Sequence, residues 1–174
     1  MTEAGVLIRR LAAEDLVAYK ALRDAMLTAY PEAFTSDAAA EASREPSAYL
    51  PRLGLDRLDG GQFTLGAWLG DTLIGALGCE RDMRVKVRHI AHVIGMMVRP
   101  DCAGRGTGGQ LLQACIAALR QAEGVEMLTL SVTQENHGAV GLYARAGFIR
   151  HGSLPRAIRV DGRYHAKDQM HLML

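Results

Sequence analysis

Four glycines crowd into six residues, at positions 104, 106, 108 and 109, between an apolar run ending at Val98 and an apolar-periodic run beginning at Leu111. Glycine there lets successive main-chain N–H groups converge with no side chains in the way. A helix that follows adds its unpaired N-terminal donors and the positive end of its dipole, and the combination suits a phosphate or pyrophosphate. Arg105 adds a cation inside the loop. A loop that needs glycine only for turn geometry would need fewer of them. A dinucleotide fingerprint fits in letter, because Gly104, Gly106 and Gly109 satisfy G-x-G-x-x-G. Its context does not fit: residues 100–103 separate the glycines from the strand, and the acid expected about 20 residues on would be Glu126, which opens the next strand.

The elements that must position this loop follow from hydrophobic period. Residues 6–9 read as an opening strand. Leu16, Tyr19, Leu22 and Met26 recur at helical spacing, with Glu14 and Asp15 in the first turn and Pro31 at the end. Residues 31–60 carry Pro46 and Pro51 and are expected to hold one short helix over 47–58. From Gln62 the period becomes that of strands. Residues 63–69 and 72–77 flank Gly70-Asp71 as a hairpin, and a third strand covers 89–98. After the glycine loop, apolar residues at 111, 112, 115, 116 and 119 mark a helix, with Gly124 near its end. A strand over 125–132, a short helix over 138–146 and a closing hairpin of 157–160 and 164–174 about Asp161-Gly162 complete the chain. The order is β α (α) β β β α β α β β, a mixed-sheet α/β domain.

Composition narrows the function classes. The 174 residues suit one domain, spanning 1–174, and 20 Lys+Arg against 19 Asp+Glu leave a net charge of +1, with no footprint of a nucleic-acid binder. No apolar run approaches the roughly 18 residues of a membrane span, and residues 1–20 lack a signal-peptide layout, so a cytoplasmic protein with no membrane partner is expected. Cys79, Cys102 and Cys115 are too few and too irregular for a disulfide or zinc framework. Cys79 and Cys115 fall on apolar positions, and Cys102 beside the loop lacks a His–acid pair that would make it a nucleophile. His137, His151, His165 and His171 show no metal-ligand spacing, so no metal is expected.

The segment 98–112 resembles the pyrophosphate loop of the GCN5-related N-acetyltransferases (GNAT), whose pattern Arg/Gln-x-x-Gly-x-Gly/Ala falls here on Ala103, Gly106 and Gly108. Ala103 departs from the usual Arg or Gln, which costs a side-chain contact and leaves the main chain. A second match lies at the expected distance: Asn136, Ala139, Leu142, Tyr143, Gly147 and Phe148 resemble the family's Asn-x-x-Ala-x-x-Leu-Tyr-x-x-x-Gly-Phe segment. Residues 31–34 and 156–164 also look like stretches of uncharacterised members, so the resemblance covers nearly the whole chain.

The resemblance implies a GNAT-like mixed central sheet flanked by helices, closed by a β-hairpin. It implies transfer of acetyl from acetyl-CoA to a primary amine by direct attack in a ternary complex. The pyrophosphate would lie on Ala103, Gly104, Arg105, Gly106, Thr107, Gly108 and Gly109. A main-chain N–H near Met96 would polarise the thioester carbonyl, with Val98 pairing to the pantetheine arm and Gly95 placed where a strand can bulge. Asn136 would hydrogen-bond pantetheine or cap its helix. Tyr143 would protonate the leaving thiolate, unless it only packs. His92, on the strand before the loop, would be the general base, for which histidine's ordinary pKa of about 6.5 is suited; ordered water is the alternative, and His89 a weaker one. Acceptor contacts are expected from 30–58 and 155–165, where Glu32, Asp37, Glu41 and Glu45 would favour a cationic amine or form a solvated face. Tyr30, Phe34, Tyr49 and Tyr164 would line the site or pack. The alternatives to an acetyltransferase are a coenzyme-A-binding module without catalysis and a different acyl donor such as succinyl-CoA. Members often pair as homodimers.

Overall fold

The computed structural model describes residues 5–57 and 60–174. Seven strands, β1 (Leu7–Arg10), β2 (Phe63–Leu69), β3 (Thr72–Arg81), β4 (Ile90–Val98), β5 (Met127–Thr133), β6 (Ile149–Val160) and β7 (Arg163–Met173), form one sheet in the order β1-β2-β3-β4-β5-β7-β6. Every neighbouring pair is antiparallel except β4 with β5. The alternation expected at 63–77 is present, with β2 and β3 joined through Gly70 and Asp71. Asp161 (φ 47°) and Gly162 (φ 81°) both take positive φ in the turn of the closing hairpin, the geometry that matches strand twist in a two-residue loop.

The two faces of the sheet carry separate cores. On one, α3 (Thr107–Arg120) buries Leu111, Leu112, Cys115, Ile116 and Leu119 against β2, β3, β4 and β5. On the other, α1 (Leu16–Ala29) buries Leu16, Tyr19, Leu22 and Met26 against Trp68, Leu73, Ala76 and Met97. A short α4 (His137–Arg145) ends before Gly147, whose φ of 96° requires glycine.

Two expectations are corrected. The helix expected over 47–58 is a 3₁₀ turn over Pro46–Leu53, stopped by Gly54 in the left-handed region, where a Cβ would meet the Gln62 carbonyl oxygen at 2.2 Å. Pro51 inside it removes the donor an α-helix would need. Residue 58 of that expectation lies outside the described residues. A separate five-residue helix, α2 (Ala38–Ala42), was not foreseen; Asp37 caps it by accepting from the Ala40 N–H at 2.9 Å. The strand expected over 157–160 starts at Ile149 and runs the full length of β6, because pairing with β7 overrides the weak local pattern. Among the described residues no helix is long and apolar enough to cross a membrane.

Two features of β4 shape the rest. It pairs with β5 only through Ile90, Ala91 and His92 against Met127, Leu128 and Thr129, after which the strands part. On its other edge, Gly78 faces Ile94 and Ala76 faces Met97, so Gly95 and Met96 together oppose Leu77: a β-bulge, with Gly95 at φ 55°. The expectation that Gly95 sits at a bulge holds.

The α1–α2 connection is locked by a buried polar network. Glu41 accepts from the Tyr49 hydroxyl at 2.6 Å and from Arg23 Nε at 3.2 Å, with Arg44 at 3.2 Å on its other oxygen. Burial alone would raise the Glu41 pKa, but the Tyr49 and Arg23 hydrogen bonds outweigh it and hold the carboxyl below its usual range. A depressed carboxylate contributes stability above its unfolded pKa and loses it as pH falls through the folded value. Tyr49→Phe therefore removes a donor to a buried charge at a cost of about 1–3 kcal/mol, read by urea unfolding at pH 7. In the same measurement Glu41→Gln loses more stability at pH 7 than at pH 3, since the contribution of the depressed parent carboxylate shrinks as pH falls below its unfolded pKa.

Candidate functional site

The parting of β4 from β5 opens the sheet, and two cavities meet in the gap. The larger, about 910 Å³, runs over the glycine loop and the N-terminal end of α4. The smaller, about 340 Å³, lies toward the α1 face between β3, β4, β5 and β7. They share Ala33, Phe34, Met96, Asn136 and Ala139. Met96, freed from the ladder by the bulge, therefore stands at their junction.

In the larger cleft the main-chain N–H groups of residues 104–109 have no hydrogen-bond acceptor among the described residues; the helical ladder begins with Gln110 N–H donating to the Gly106 carbonyl at 3.0 Å. Gly104 (φ 76°) and Gly106 (φ 82°) hold the loop in the left-handed region, with open space where a Cβ would stand. Ala103, Gly104, Gly106, Thr107, Gly108 and Gly109 all line the cleft, as does Val98. Two loop residues behave differently from expectation. The Ala103 N–H is committed to the Pro100 carbonyl at 3.2 Å, so it offers no free donor. Arg105 is exposed and outside the lining; Arg145 and His137, from α4, stand there instead. Thr107 is 2% exposed, lines the cleft, and its Oγ1 has no hydrogen-bond partner. A ribbon of free N–H donors, an orphaned buried hydroxyl and a helix N-terminus fit a polyphosphate group on observations of this chain alone.

The smaller cavity collects other chemistry. Tyr143 lines it, 6% exposed, its ring edge-on to Phe148 at 5.8 Å between centroids. Burial pushes its pKa up, so the phenol stays protonated through the physiological range. Its hydroxyl has no hydrogen-bond partner among the described residues. Asn136 caps α4, its Oδ1 accepting from the Ala139 N–H at 3.1 Å, which leaves its amide N–H groups for the cleft. His92 is exposed, its Nδ1 hydrogen-bonded to Thr129 Oγ1, and it lies outside the lining of both cavities. Its ladder partner Glu80 lines the smaller one. Arg23, Arg52, Ser131, Thr133 and Lys167 join it there. None of these was legible as a site residue, because no motif marks them and only strand alternation hints at a shared face.

Of the acidic residues expected at the acceptor site from 30–58, two are spent elsewhere and one stands in the larger cleft. Glu41 is inside the Arg23–Tyr49 network, Asp37 caps α2, and Glu32 lines the larger cleft. Of the four aromatics, Phe34 lines both cavities and Tyr30 the larger, Tyr49 is fully buried, and Tyr164 is exposed beneath Arg156 and Arg159. Cys102 is buried against the larger cleft, and Cys79 and Cys115 are core, as expected.

A profile of the Acetyltransferase (GNAT) family matches residues 19–148. The chain belongs to that family. It is 37% identical over 67 residues to the L-methionine sulfoximine/L-methionine sulfone acetyltransferase of Pseudomonas aeruginosa, a match spanning 38% of this chain and 38% of that relative's length. It is 35% identical over 99 residues to the N-alpha-acetyltransferase RimI of Mycobacterium tuberculosis, covering 56% of this chain and 59% of that one. Among solved structures, a GNAT acetyltransferase from Streptococcus pneumoniae superposes with a TM-score of 0.84 at 24% identity, over 98% of this chain and all of the other (100%). The putative acetyltransferase yncA of Salmonella typhimurium, solved with acetyl-CoA, superposes with a TM-score of 0.78 at 19% identity, covering 97% of this chain and 94% of that one. These likenesses establish the GNAT fold, with the mixed seven-stranded sheet expected from the sequence.

For this GNAT chain the orphaned Thr107 hydroxyl makes a two-sided prediction. Thr107→Val removes an unsatisfied buried polar atom at nearly equal volume, so urea unfolding without ligand shifts to higher denaturant by about 1 kcal/mol. The same variant gains less stability than the parent when acetyl-CoA is added. A valine chain that unfolds earlier than the parent without ligand would show that the hydroxyl is already satisfied.

Proposed function

We propose that the chain is an N-acetyltransferase that moves acetyl from acetyl-CoA to a primary amine by direct attack with both substrates bound. The observation that carries this reading is the junction of the two cavities at the β4 bulge: one side suits a pyrophosphate, the other a small polar acceptor, and a ladder-free stretch of main chain lies between. The two relatives carry names that specify L-methionine sulfoximine or sulfone in one case and an N-alpha position in the other, and both acceptors are amines.

The bound thioester supplies an activated acetyl group; the chain's part is to bind, orient and move protons. The N–H groups of residues 104–109 and the Thr107 hydroxyl hold the pyrophosphate. The free edge of β4 at Val98 pairs with the pantetheine arm as an added strand, and Asn136 donates to it from its amide. The Met96 N–H points a donor at the thioester oxygen as charge grows there. The amine's lone pair forms the new C–N bond, the C–S bond breaks, and the thiolate takes the proton of the Tyr143 hydroxyl. The amine's own proton goes to Glu80 inside the cavity, with His92 beside it as the next acceptor toward solvent. Tyr143 is then reprotonated from water.

Thermal unfolding gives the first test. Acetyl-CoA at 100 times its Kd adds about 2.7 kcal/mol, a Tm rise of about 5–10 °C for a domain of this size, while NAD and ATP add nothing. A rise with NAD or ATP and none with acetyl-CoA would sink the reading. Tyr143→Phe lowers kcat about 100-fold or more at unchanged acetyl-CoA affinity. Glu80→Gln loses about as much in kcat/KM, and His92→Ala loses less than tenfold. A reversed order of those two would return the base to His92 alone.

A further inference from the structure

The walls of the smaller cavity carry three cations against one carboxylate: Arg23, Arg52 and Lys167 against Glu80. Arg23 is already matched, its Nε on Glu41 at 3.2 Å and its Nη2 on Ser36 Oγ at 2.7 Å. The other two are not. Lys167 Nζ reaches only Thr35 Oγ1, at 3.4 Å, and Arg52 Nη1 only the Tyr19 hydroxyl, also at 3.4 Å, with its guanidinium 5.4 Å from the centre of the Tyr49 ring. Neither has a carboxylate within ion-pair distance among the described residues. Both are half-buried, and burial lowers the Lys167 pKa with no opposing charge to hold it up. Cations withdrawn from water with no carboxylate in ion-pair reach leave the anion to be supplied by what binds there.

We propose that the acceptor carries an anionic group beside its amine, as a free amino acid does, with Lys167 and Arg52 on the anion and Glu80 on the ammonium. This rests on the transferase reading of the site and names its acceptor class. The cavity, about 340 Å³, is at the small end for ligand sites and matches a molecule of amino-acid size. Lys167 faces Thr133 across the β5–β7 ladder and Glu80 stands on β3, so these two sit on opposite sides of the gap between β4 and β5, while Arg52 enters from the 3₁₀ turn packed against α1, β2 and β3. A peptide N-terminus presents a neutral amide where a free amino acid has its carboxylate, and two unmatched cations discriminate against it.

The test compares the proteinogenic L-amino acids with their primary amides as acceptors, by thiol release from acetyl-CoA. At least one acid outpaces its own amide by tenfold or more in kcat/KM. Lys167→Met collapses that ratio toward one, and Lys167→Arg, which keeps the charge, restores most of it; an acetyl-CoA-dependent Tm rise in each variant reports that it folds. Amides or peptide N-termini accepted as well as or better than the acids overturn the proposal, as does a ratio that survives both Lys167→Met and Arg52→Gln. Calorimetric titration of the same acids and amides into the CoA-saturated chain separates this from the transferase reading. Acids that bind in preference to amides, with no thiol released, overturn the transferase reading and uphold the anion site. Acids and amides that bind alike, or no binding of either, overturn the anion site.

Discussion

The extra residue in β4 is the constraint on which the rest depends. A strand that bulges at Gly95, with φ at 55°, twists away from its neighbour and leaves a stretch of main chain out of the ladder. Beyond His92 the β4 edge that would have paired with β5 is free, and the gap becomes a cleft in the sheet. No side chain with a Cβ takes that φ cheaply, so the opening is written into one glycine.

The glycine loop works through the same economy of main chain. Its donors are free because helix geometry leaves the first N–H groups unpaired and because left-handed glycines break the turn before α3. Ala103, the residue that departs from the family pattern, contributes shape and not a donor, since Pro100 takes its N–H. The charge near the loop comes from α4, whose Arg145 faces the cleft while Arg105 faces water.

On the acceptor side a buried network and an unfinished one stand side by side. Arg23, Glu41 and Tyr49 satisfy one another and hold the 3₁₀ turn against α1 and α2. Arg52 comes from that same turn and Lys167 from β7, and both present charge to the cavity with no carboxylate in ion-pair reach among the described residues. The scaffold is satisfied, and the site is complete only with a ligand in it.

What is local was legible along the chain. Helix periods at 16–26 and 111–119, the hairpin turns at 70–71 and 161–162, the bulge at Gly95 and both family motifs are contiguous, because turn chemistry, helix faces and a phosphate cradle are each built from neighbours in the chain. Local reading also put His92 on the strand before the loop, but its place relative to a cavity depended on where β4 leaves β5. Strand order and register brought Glu80, Arg52 and Lys167 to one cavity, turned Arg105 out and Arg145 in, and hid Glu41 with Arg23. They join segments far apart in sequence, and no local period encodes those placements.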